Sequence, residues 1–356
     1  MTFDGTVRKD GLIAGAPARS RERVRVNREV CRDMGNLLRS NRVPEDHEDI
    51  SLAGFTPLEI GNFYLLLVAI CHQTSPRGEA PLEGTIAQQH MRGWDYLSAK
   101  LERAVQTNLE LLNPQRWVRI TGRDVQEIFH DEVLGDRLSD PNGRAALIND
   151  LGKKMVQKSW ENVQEMYTAA GGRIDSGSPS LLDLLANFRA YDDPVKKKSF
   201  FFLALMHNAG LWVYADPSRL GAPIDYHEVR GHLRIGTVQV CDSELYRKLI
   251  DGQEVTPDDD ITIRQAVYDA VMFISEDSEL RNASQLHYLF WNVFRSCCTR
   301  YMPHCHSCPS QCTLPDRYVP LTLANGEPRR CPFSRMCNSV DLEPKLLEHV
   351  VETDYY

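Results

Sequence analysis

The segment Ala222 to Val238, APIDYHEVRGHLRIGTV, carries an acidic side chain at a position where it could act on a substrate. Asp225 follows a proline and begins a stretch with helical spacing of apolar residues, in which Arg230 and Arg234 form a basic side. A carboxylate at a helix N-terminus caps free N–H groups, and the helix dipole favours its charged form. A charged carboxylate can also stabilise positive charge that develops on a substrate. The segment therefore predicts either a helix cap or a catalytic acid.

A second concentration of reactive side chains is the cysteine-rich stretch from residue 297 to residue 337. Four of its cysteines form the pattern C-x6-C-x2-C-x3-C: Cys298, Cys305, Cys308 and Cys312. Converging thiolates hold an iron–sulfur cluster or a zinc ion. We therefore predict that these four cysteines bind either a 4Fe-4S cluster or a zinc ion. Cys331 and Cys337 follow at x5 spacing and are alternatives for the fourth ligand.

Three consecutive lysines, Lys196 to Lys198, precede the apolar run Phe200–Met206. A lysine that acts as a nucleophile must lose its proton, which burial or neighbouring cations promote. The same run of cations could instead bind phosphate groups. The sequence leaves both interpretations open.

The composition is that of a soluble globular protein, with 356 residues, of which 42% are hydrophobic and 25% charged. No apolar run approaches the ~20 residues of a membrane span, and the N-terminus lacks the apolar core of a secretory signal. We therefore expect a cytoplasmic protein, in which ten cysteines indicate metal binding rather than disulfides. The net charge of −8 argues against a protein that coats nucleic acid. Arginine-rich stretches at 19–32 and 295–335 could still contact a phosphate backbone locally.

The elements that must position these residues are predicted to be mostly α-helical. Helical spacing extends from Arg19 to about Asn41, and Thr56-Pro57-Leu58-Glu59 is a helix start with a capping box. Strand signals occur only at Trp117–Ile120 and Val238–Cys241. We divide the chain into a mobile leader at 1–18, a helical domain of two lobes at 19–296, a cysteine-rich cluster module at 297–340 and an acidic tail at 341–356.

Three segments, in this order along the chain, resemble the helix-hairpin-helix (HhH-GPD) DNA glycosylase superfamily and its endonuclease III-like members. LLLVAICHQTS is similar to an early helix that ends in a glutamine-threonine pair facing DNA. PIDYHEVRGHLRIG looks like the segment in which an aspartate opens a helix that bears arginines, and CTRYMPHCHSCP looks like the cluster loop. In place of the glycine-rich hairpin stands YDDPVKKKSFFFLALMHNAG. This stretch resembles the degenerate hairpins of archaeal 8-oxoguanine glycosylases and of queuosine-nucleotide glycosylases.

The resemblance implies a two-lobed helical fold of the DNA-glycosylase type, with the active-site cleft between the lobes. It also favours a 4Fe-4S cluster, with zinc as the alternative cofactor, at the four cysteines. It implies that Asp225 stabilises the oxocarbenium-like sugar formed as a base leaves. Lys198 matches the lysine that attacks the sugar in members that also cleave the strand as AP lyases. Four residues are expected to contact DNA: Gln73, Lys197, Arg230 and Arg300.

The function predicted on this basis is a monomeric DNA N-glycosylase that flips out and excises a damaged or modified base from double-stranded DNA. It would be associated with the nucleoid and serve DNA repair or, on modified viral DNA, antiviral defence. One alternative is an N-glycosylase for a small nucleotide of the 7-deazaguanine type. Another is a non-catalytic DNA-binding protein with a zinc module, in which Asp225 is only a helix cap.

Overall fold

The computed structural model describes residues 23–41, 52–279, 282–310, 312–326 and 328–356, so the predicted leader at 1–18 lies outside the described residues. The fold is mostly α-helical, as predicted. The α-helices, in chain order, are α1 (Arg28–Ser40), α2 (Pro57–Ala69), α3 (Trp94–Thr107), α4 (Pro114–Trp117), α5 (Gly122–Phe129), α6 (Pro141–Gln157), α7 (Val163–Ala169), α8 (Leu181–Leu185), α9 (Lys197–Asn208), α10 (Tyr226–Ile235), α11 (Ser243–Asp251), α12 (Pro257–Ser278) and α13 (Ala283–Ser296). The β-strands are β1 (Val24–Val26), β2 (Glu83–Ile86), β3 (Gln89–Arg92) and β4 (Val238–Val240). Among the described helices, none combines the length and the apolar character needed to span a bilayer.

The chain folds into two compact units, neither of which is continuous in sequence. The first unit comprises residues 1–47 and 218–352, and the second comprises 48–217 and 353–356, in each case as far as they are described. The cysteine-rich stretch at 297–340 lies within the first unit, together with α10 and α13.

In the first unit, helices pack around a two-stranded antiparallel sheet. Strands β1 and β4 pair in the register Val24↔Val240 and Val26↔Val238. Helix α1 packs along α12, and α10 packs against α13. The helix that begins after Asp225 is thereby fixed against the helix that leads into the cysteine-rich stretch.

Gly231 determines how closely α10 approaches α13. A Cβ atom at this position would overlap the ring of Phe294, which is 1% exposed. We expect Gly231→Ala to lower the free energy of unfolding by about 1–3 kcal/mol, the usual cost of overpacking a core. Urea unfolding measures this, and adding Phe294→Leu to the variant should restore part of the loss. Equal midpoints for the variant and the parent protein would contradict this packing.

In the second unit, α2 is buried along most of its length and packs against α7 and α9. The buried side chain of Asn62 ties α2 to two loops, because its Nδ2 donates to the carbonyl oxygens of Leu112 at 3.0 Å and Glu161 at 2.9 Å. Its Oδ1 accepts from the N–H of Val163 at 3.1 Å. These bonds satisfy a polar group in the core and fix α2, whose C-terminal end carries the candidate residues described below.

The strand predicted at Trp117–Ile120 is wrong, since this stretch follows the short helix α4. Asn113 caps α4 and Pro114 occupies its first turn, which favours a helix start. Trp117 is fully buried, and its Nε1 donates to the carbonyl oxygen of Leu111 at 2.7 Å. The apolar residues that indicated a strand therefore fill the core from a helical turn.

The helix predicted from Arg19 begins only at Arg28, because Val24–Val26 is drawn into the sheet by β4. Residues 19–22 lie outside the described part of the chain. The strand predicted at Val238–Cys241 and the capping box at Thr56 are both confirmed. The local capping signal therefore predicted a helix start correctly, whereas the pairing of Val24–Val26 with the distant strand β4 was not predicted.

Candidate functional site

Asp225 caps the helix with the predicted basic side. Its Oδ1 accepts hydrogen bonds from the backbone N–H groups of His227 at 2.7 Å and of Glu228 at 3.2 Å. Glu228 Oε2 accepts in return from the N–H of Asp225 at 3.1 Å, which completes a capping box. The Asp225 residue is 8% exposed. The predicted helix cap is confirmed, and the capping bonds hold one carboxylate oxygen in a fixed position.

Arg230, one of the predicted DNA contacts, is 2% exposed and bonded to protein groups. Its Nε donates to the carbonyl oxygen of Cys298 at 2.8 Å, and its Nη1 pairs with Glu348 Oε2 at 3.0 Å. Its Nη2 lies 2.8 Å from His227 Nδ1. Burial and the charge of Arg230 lower the pKa of His227 well below its ordinary value, so the neutral ring accepts this bond. These contacts favour a structural role for Arg230 over a contact with DNA.

Arg300, another predicted DNA contact, shares the same carboxylate. Its Nε donates to Glu348 Oε1, and its guanidinium lies 5.8 Å from the centre of the Tyr226 ring. Burial alone would raise the pKa of Glu348, but the charges of Arg230 and Arg300 outweigh burial and lower the pKa to about 2. Glu348 therefore joins α10 to the start of the cysteine-rich stretch through two arginines.

This ion pair predicts a specific dependence of stability on pH. The pKa of Glu348 falls from 4.5 to about 2 on folding, so its contribution is complete above pH 4.5 and is lost as the pH falls towards 2. We expect Glu348→Gln to lower the free energy of unfolding at pH 7 by about 3–5 kcal/mol, because Arg230 then stays buried without its partner. The variant should also lose less stability than the parent between pH 5 and pH 3. Urea unfolding at these pH values measures both effects.

The exposed Glu352 lies four residues away and provides a matched control. Glu352→Gln removes the same charge from the same chain segment and is expected to leave stability at pH 7 within about 0.5 kcal/mol of the parent. Equal losses for the two variants would contradict the role assigned to Glu348.

In the second unit, Lys198 is fully buried in the first turn of α9. Its Nζ donates to the carbonyl oxygen of Ala69 at 2.5 Å and lies 3.3 Å from His72 Nδ1. Burial, with the charges of Lys197 and Arg144, lowers the pKa of Lys198 to about 7. A neutral amine is what a lysine nucleophile requires, yet this Nζ is directed at the C-terminal end of α2.

Arg144 binds the same end of α2 from another side. It is fully buried; its Nη1 donates to the carbonyl oxygen of Ile70, and its Nη2 donates to that of His72 at 2.8 Å. Burial lowers the pKa of Arg144 to about 10. Carbonyl groups at a helix C-terminus carry partial negative charge, which cations stabilise. Lys198 and Arg144 together fix the segment that follows α2.

Gln73, the predicted DNA-facing residue, ends this segment. Its backbone φ is 46°, in the left-handed region that non-glycine residues avoid, and its N–H donates to the carbonyl oxygen of Tyr356 at 3.1 Å. Strained backbone of this kind costs about 1–3 kcal/mol and is found preferentially at functional sites. The neighbouring His72 is buried, and burial together with Lys198 lowers the pKa of His72 far below its ordinary value, so its ring is neutral.

Lys197, the remaining predicted DNA contact, is 7% exposed. Its Nζ lies 3.4 Å from Cys71 Sγ and 5.1 Å from the centre of the Phe201 ring. Lys197 and Lys198, the second and third lysines of the run, are therefore buried in the second unit instead of forming a solvated patch.

The cysteines predicted as ligands do not all line the same space. Five cysteines line a small cavity in the first unit: Cys297, Cys298, Cys305, Cys331 and Cys337. Cys308 and Cys312 do not line this cavity, and Cys308 interacts with Cys312 and Thr322. All ten cysteines are free thiols. Within the residues that the structure describes, no group of three or more Cys, His, Asp or Glu side chains is arranged to hold a metal ion.

Sequence reasoning missed three of the residues that build these surroundings: His72, Arg144 and Glu348. His72 precedes Gln73 in the CHQTS stretch, and this position next to a predicted site residue could have identified it. Arg144 and Glu348 carry no local signal, because each is defined by partners from distant parts of the chain.

Residues 68–229 match the model of the queuosine salvage protein family. The matched range is less than half of the chain; it includes Gln73, Lys198 and Asp225 and ends before the cysteine-rich stretch. No curated protein matches the chain. The match lends no support to the endonuclease III part of the resemblance. Over residues 68–229, this chain is similar to queuosine salvage proteins.

Proposed function

We propose that this protein is an N-glycosylase that releases the base from a free nucleotide of the queuosine, 7-deazaguanine type. The observation that carries the proposal is the family match over residues 68–229, which includes Asp225 and Lys198. The small-nucleotide alternative is thereby favoured over the DNA base-excision enzyme that the sequence first indicated. A free nucleotide has no strand to cleave, so this reaction needs no lysine nucleophile.

Asp225 is the proposed catalytic group. Breaking an N-glycosidic bond leaves an oxocarbenium-like sugar. A fixed carboxylate can stabilise this sugar or direct a water molecule to it. The capping bonds from His227 and Glu228 hold Oδ1 of this carboxylate. Fixed charge is effective in catalysis because it needs no reorganisation during the reaction.

The burial of the predicted DNA contacts supports a small substrate. Arg230 is 2% and Lys197 is 7% exposed. Arg300 is paired with Glu348. Proteins that hold duplex DNA present lysines and arginines at the surface, where they replace counterions on the phosphates. Cations that are buried and paired within the protein cannot do this without breaking their native contacts.

The experiment offers the purified full-length protein a set of substrates. Queuosine 5′-monophosphate and, separately, duplex DNA with oxidised, alkylated or 7-deazaguanine bases are incubated with it, and the released base is quantified by mass spectrometry. We expect base release from the nucleotide and none from the duplexes. Release from duplex DNA alone would overturn the proposal in favour of base excision. A gel shift with duplex DNA and no release from any substrate would favour the non-catalytic DNA-binding protein.

A further inference from the structure

The cysteine-lined cavity of the first unit is a second feature that could bind a ligand, and the proposed function does not use it. The cavity is small and is walled mainly by apolar surface. Phe294 and Phe333 line it beside the cysteines, and both are at most 1% exposed. Five cysteines around one small cavity are more than packing requires, since any small apolar residue would fill the same space.

The donor set distinguishes between a single ion and a cluster. A zinc ion brings four sulfur ligands to about 2.3 Å from one point, which places the sulfurs about 3.8 Å from one another. The described residues contain no such compact group, and the cysteines border a cavity instead of converging on a point. Ligands of an iron–sulfur cluster bind different irons and stand farther apart, around the inorganic core. The arrangement therefore argues against a single zinc ion and leaves the cluster as the cofactor to test.

Two of the sulfur atoms at the cavity, those of Cys298 and Cys331, accept hydrogen bonds of the kind that stabilise thiolate ligands. Arg234 is 2% exposed, and its Nη1 donates to Cys298 Sγ at 3.3 Å. The backbone N–H of Phe333 donates to Cys331 Sγ. Hydrogen bonds to the sulfurs stabilise a cluster and set its potential. Arg234 and Lys345 both line the cavity, and their positive charge offsets the negative charge of a thiolate-bound cluster.

We propose that Cys298, Cys305, Cys331 and Cys337 bind a 4Fe-4S cluster in this cavity. Two of these ligands replace Cys308 and Cys312 of the sequence-based set, because those two thiols do not line the cavity. Of the chain neighbours Cys297 and Cys298, the structure favours Cys298, whose sulfur accepts the bond from Arg234. The last two ligands therefore come from the x5 pair, more than twenty residues beyond Cys305.

The test compares two matched double variants of the full-length chain, Cys331→Ser/Cys337→Ser and Cys308→Ser/Cys312→Ser. Each protein is reconstituted anaerobically with ferrous iron and sulfide, and iron, acid-labile sulfide and visible absorption are measured. The parent and the second variant should hold about four irons and four sulfides per chain. The first variant should retain less than about a tenth of this iron, because it loses two ligands. The reverse pattern, or zinc instead of iron in the purified parent, would overturn the proposal.

Alkylation of the parent protein keeps the test decisive if the first variant does not fold. The reconstituted protein is treated with iodoacetamide before and after removal of iron by a chelator, and modified cysteines are located by mass spectrometry. Cys308 and Cys312 should be modified in both states, whereas Cys337, which is half-buried, should be modified only after iron removal. Cys331 is buried even without a cluster and does not report on it. Protection of Cys308 and Cys312 with modification of Cys337 would refute the ligand set. None of these measurements depends on glycosylase activity.

Discussion

Asp225→Asn is expected to lower the kcat for base release by about 10²–10³-fold, the usual effect of removing one fixed electrostatic contact to a transition state. Asparagine is as good a helix cap as aspartate, and its Oδ1 can accept the same bonds from His227 and Glu228. The substitution therefore separates the two roles of Asp225. It removes the charge while keeping the cap, and stability should change by less than about 1 kcal/mol. Single-turnover kinetics and urea unfolding measure the two quantities.

Asp242 offers a matched control, because it caps α11 in the same unit and accepts from the N–H of Leu245 at 2.8 Å. Asp242→Asn makes the same chemical change at a helix start and should leave kcat unchanged. If Asp225→Asn retains the activity of the parent, Asp225 is only a cap and the proposed chemistry is wrong. If the parent itself shows no base release, the failure concerns the substrate and not the role of this residue.

Lys198→Met is expected to lower the free energy of unfolding at pH 9 by about 1–3 kcal/mol, because the carbonyl oxygen of Ala69 then stays buried without its donor. Lys198 Nζ holds the carbonyl of Ala69 and lies beside His72, so its loss frees the segment that leads to Gln73. The neighbouring Lys196 is half-buried and provides the control, since Lys196→Met changes the same lysine run without touching α2 through a described bond. Equal stability of the two variants at pH 9 would contradict the role assigned to this contact.

The titration of Lys198 gives a second measure of its burial. Its pKa falls from 10.5 to about 7 on folding, so between these values the unfolded chain binds the extra proton. Stability from this group therefore rises as the pH increases from 7 towards 10.5, and a penalty for the buried cation is present below pH 7. The parent should gain stability between pH 7 and pH 9 relative to Lys198→Met. Parallel stability curves for the two proteins would show that Lys198 does not titrate in this range.

In the second unit, the strained backbone at Gln73 and the buried cations Lys198 and Arg144 belong to the same chain segment and its contacts. Lys198 and Arg144 bind the carbonyls at the end of α2, and the chain then passes through the left-handed Gln73. Surroundings must over-determine such a conformation for it to persist. The cost of burying two cations is offset by the carbonyl groups that they satisfy.

The sequence by itself determined the helical class, the start of α2 at Thr56 and the capping position of Asp225. These features depend on contacts between residues two to four positions apart, which sequence spacing reports directly. The hairpin of β2 and β3 was missed, because its turn is made by Ala87 and Gln88 in left-handed conformations without the usual glycine or asparagine.

Only the tertiary structure decided which charged and sulfur-bearing side chains are buried, and with which partners. The pKa of Lys198 is low because its side chain is buried, in contact with Ala69, which lies 129 positions away in the sequence. Arg230 pairs with Glu348, which lies 118 positions away. Cys331 and Cys337 line the same cavity as Cys298 only because the chain folds back to it more than twenty residues after Cys305. Burial and electrostatic pairing depend on distance in space, which helical and cysteine spacings along the chain do not encode.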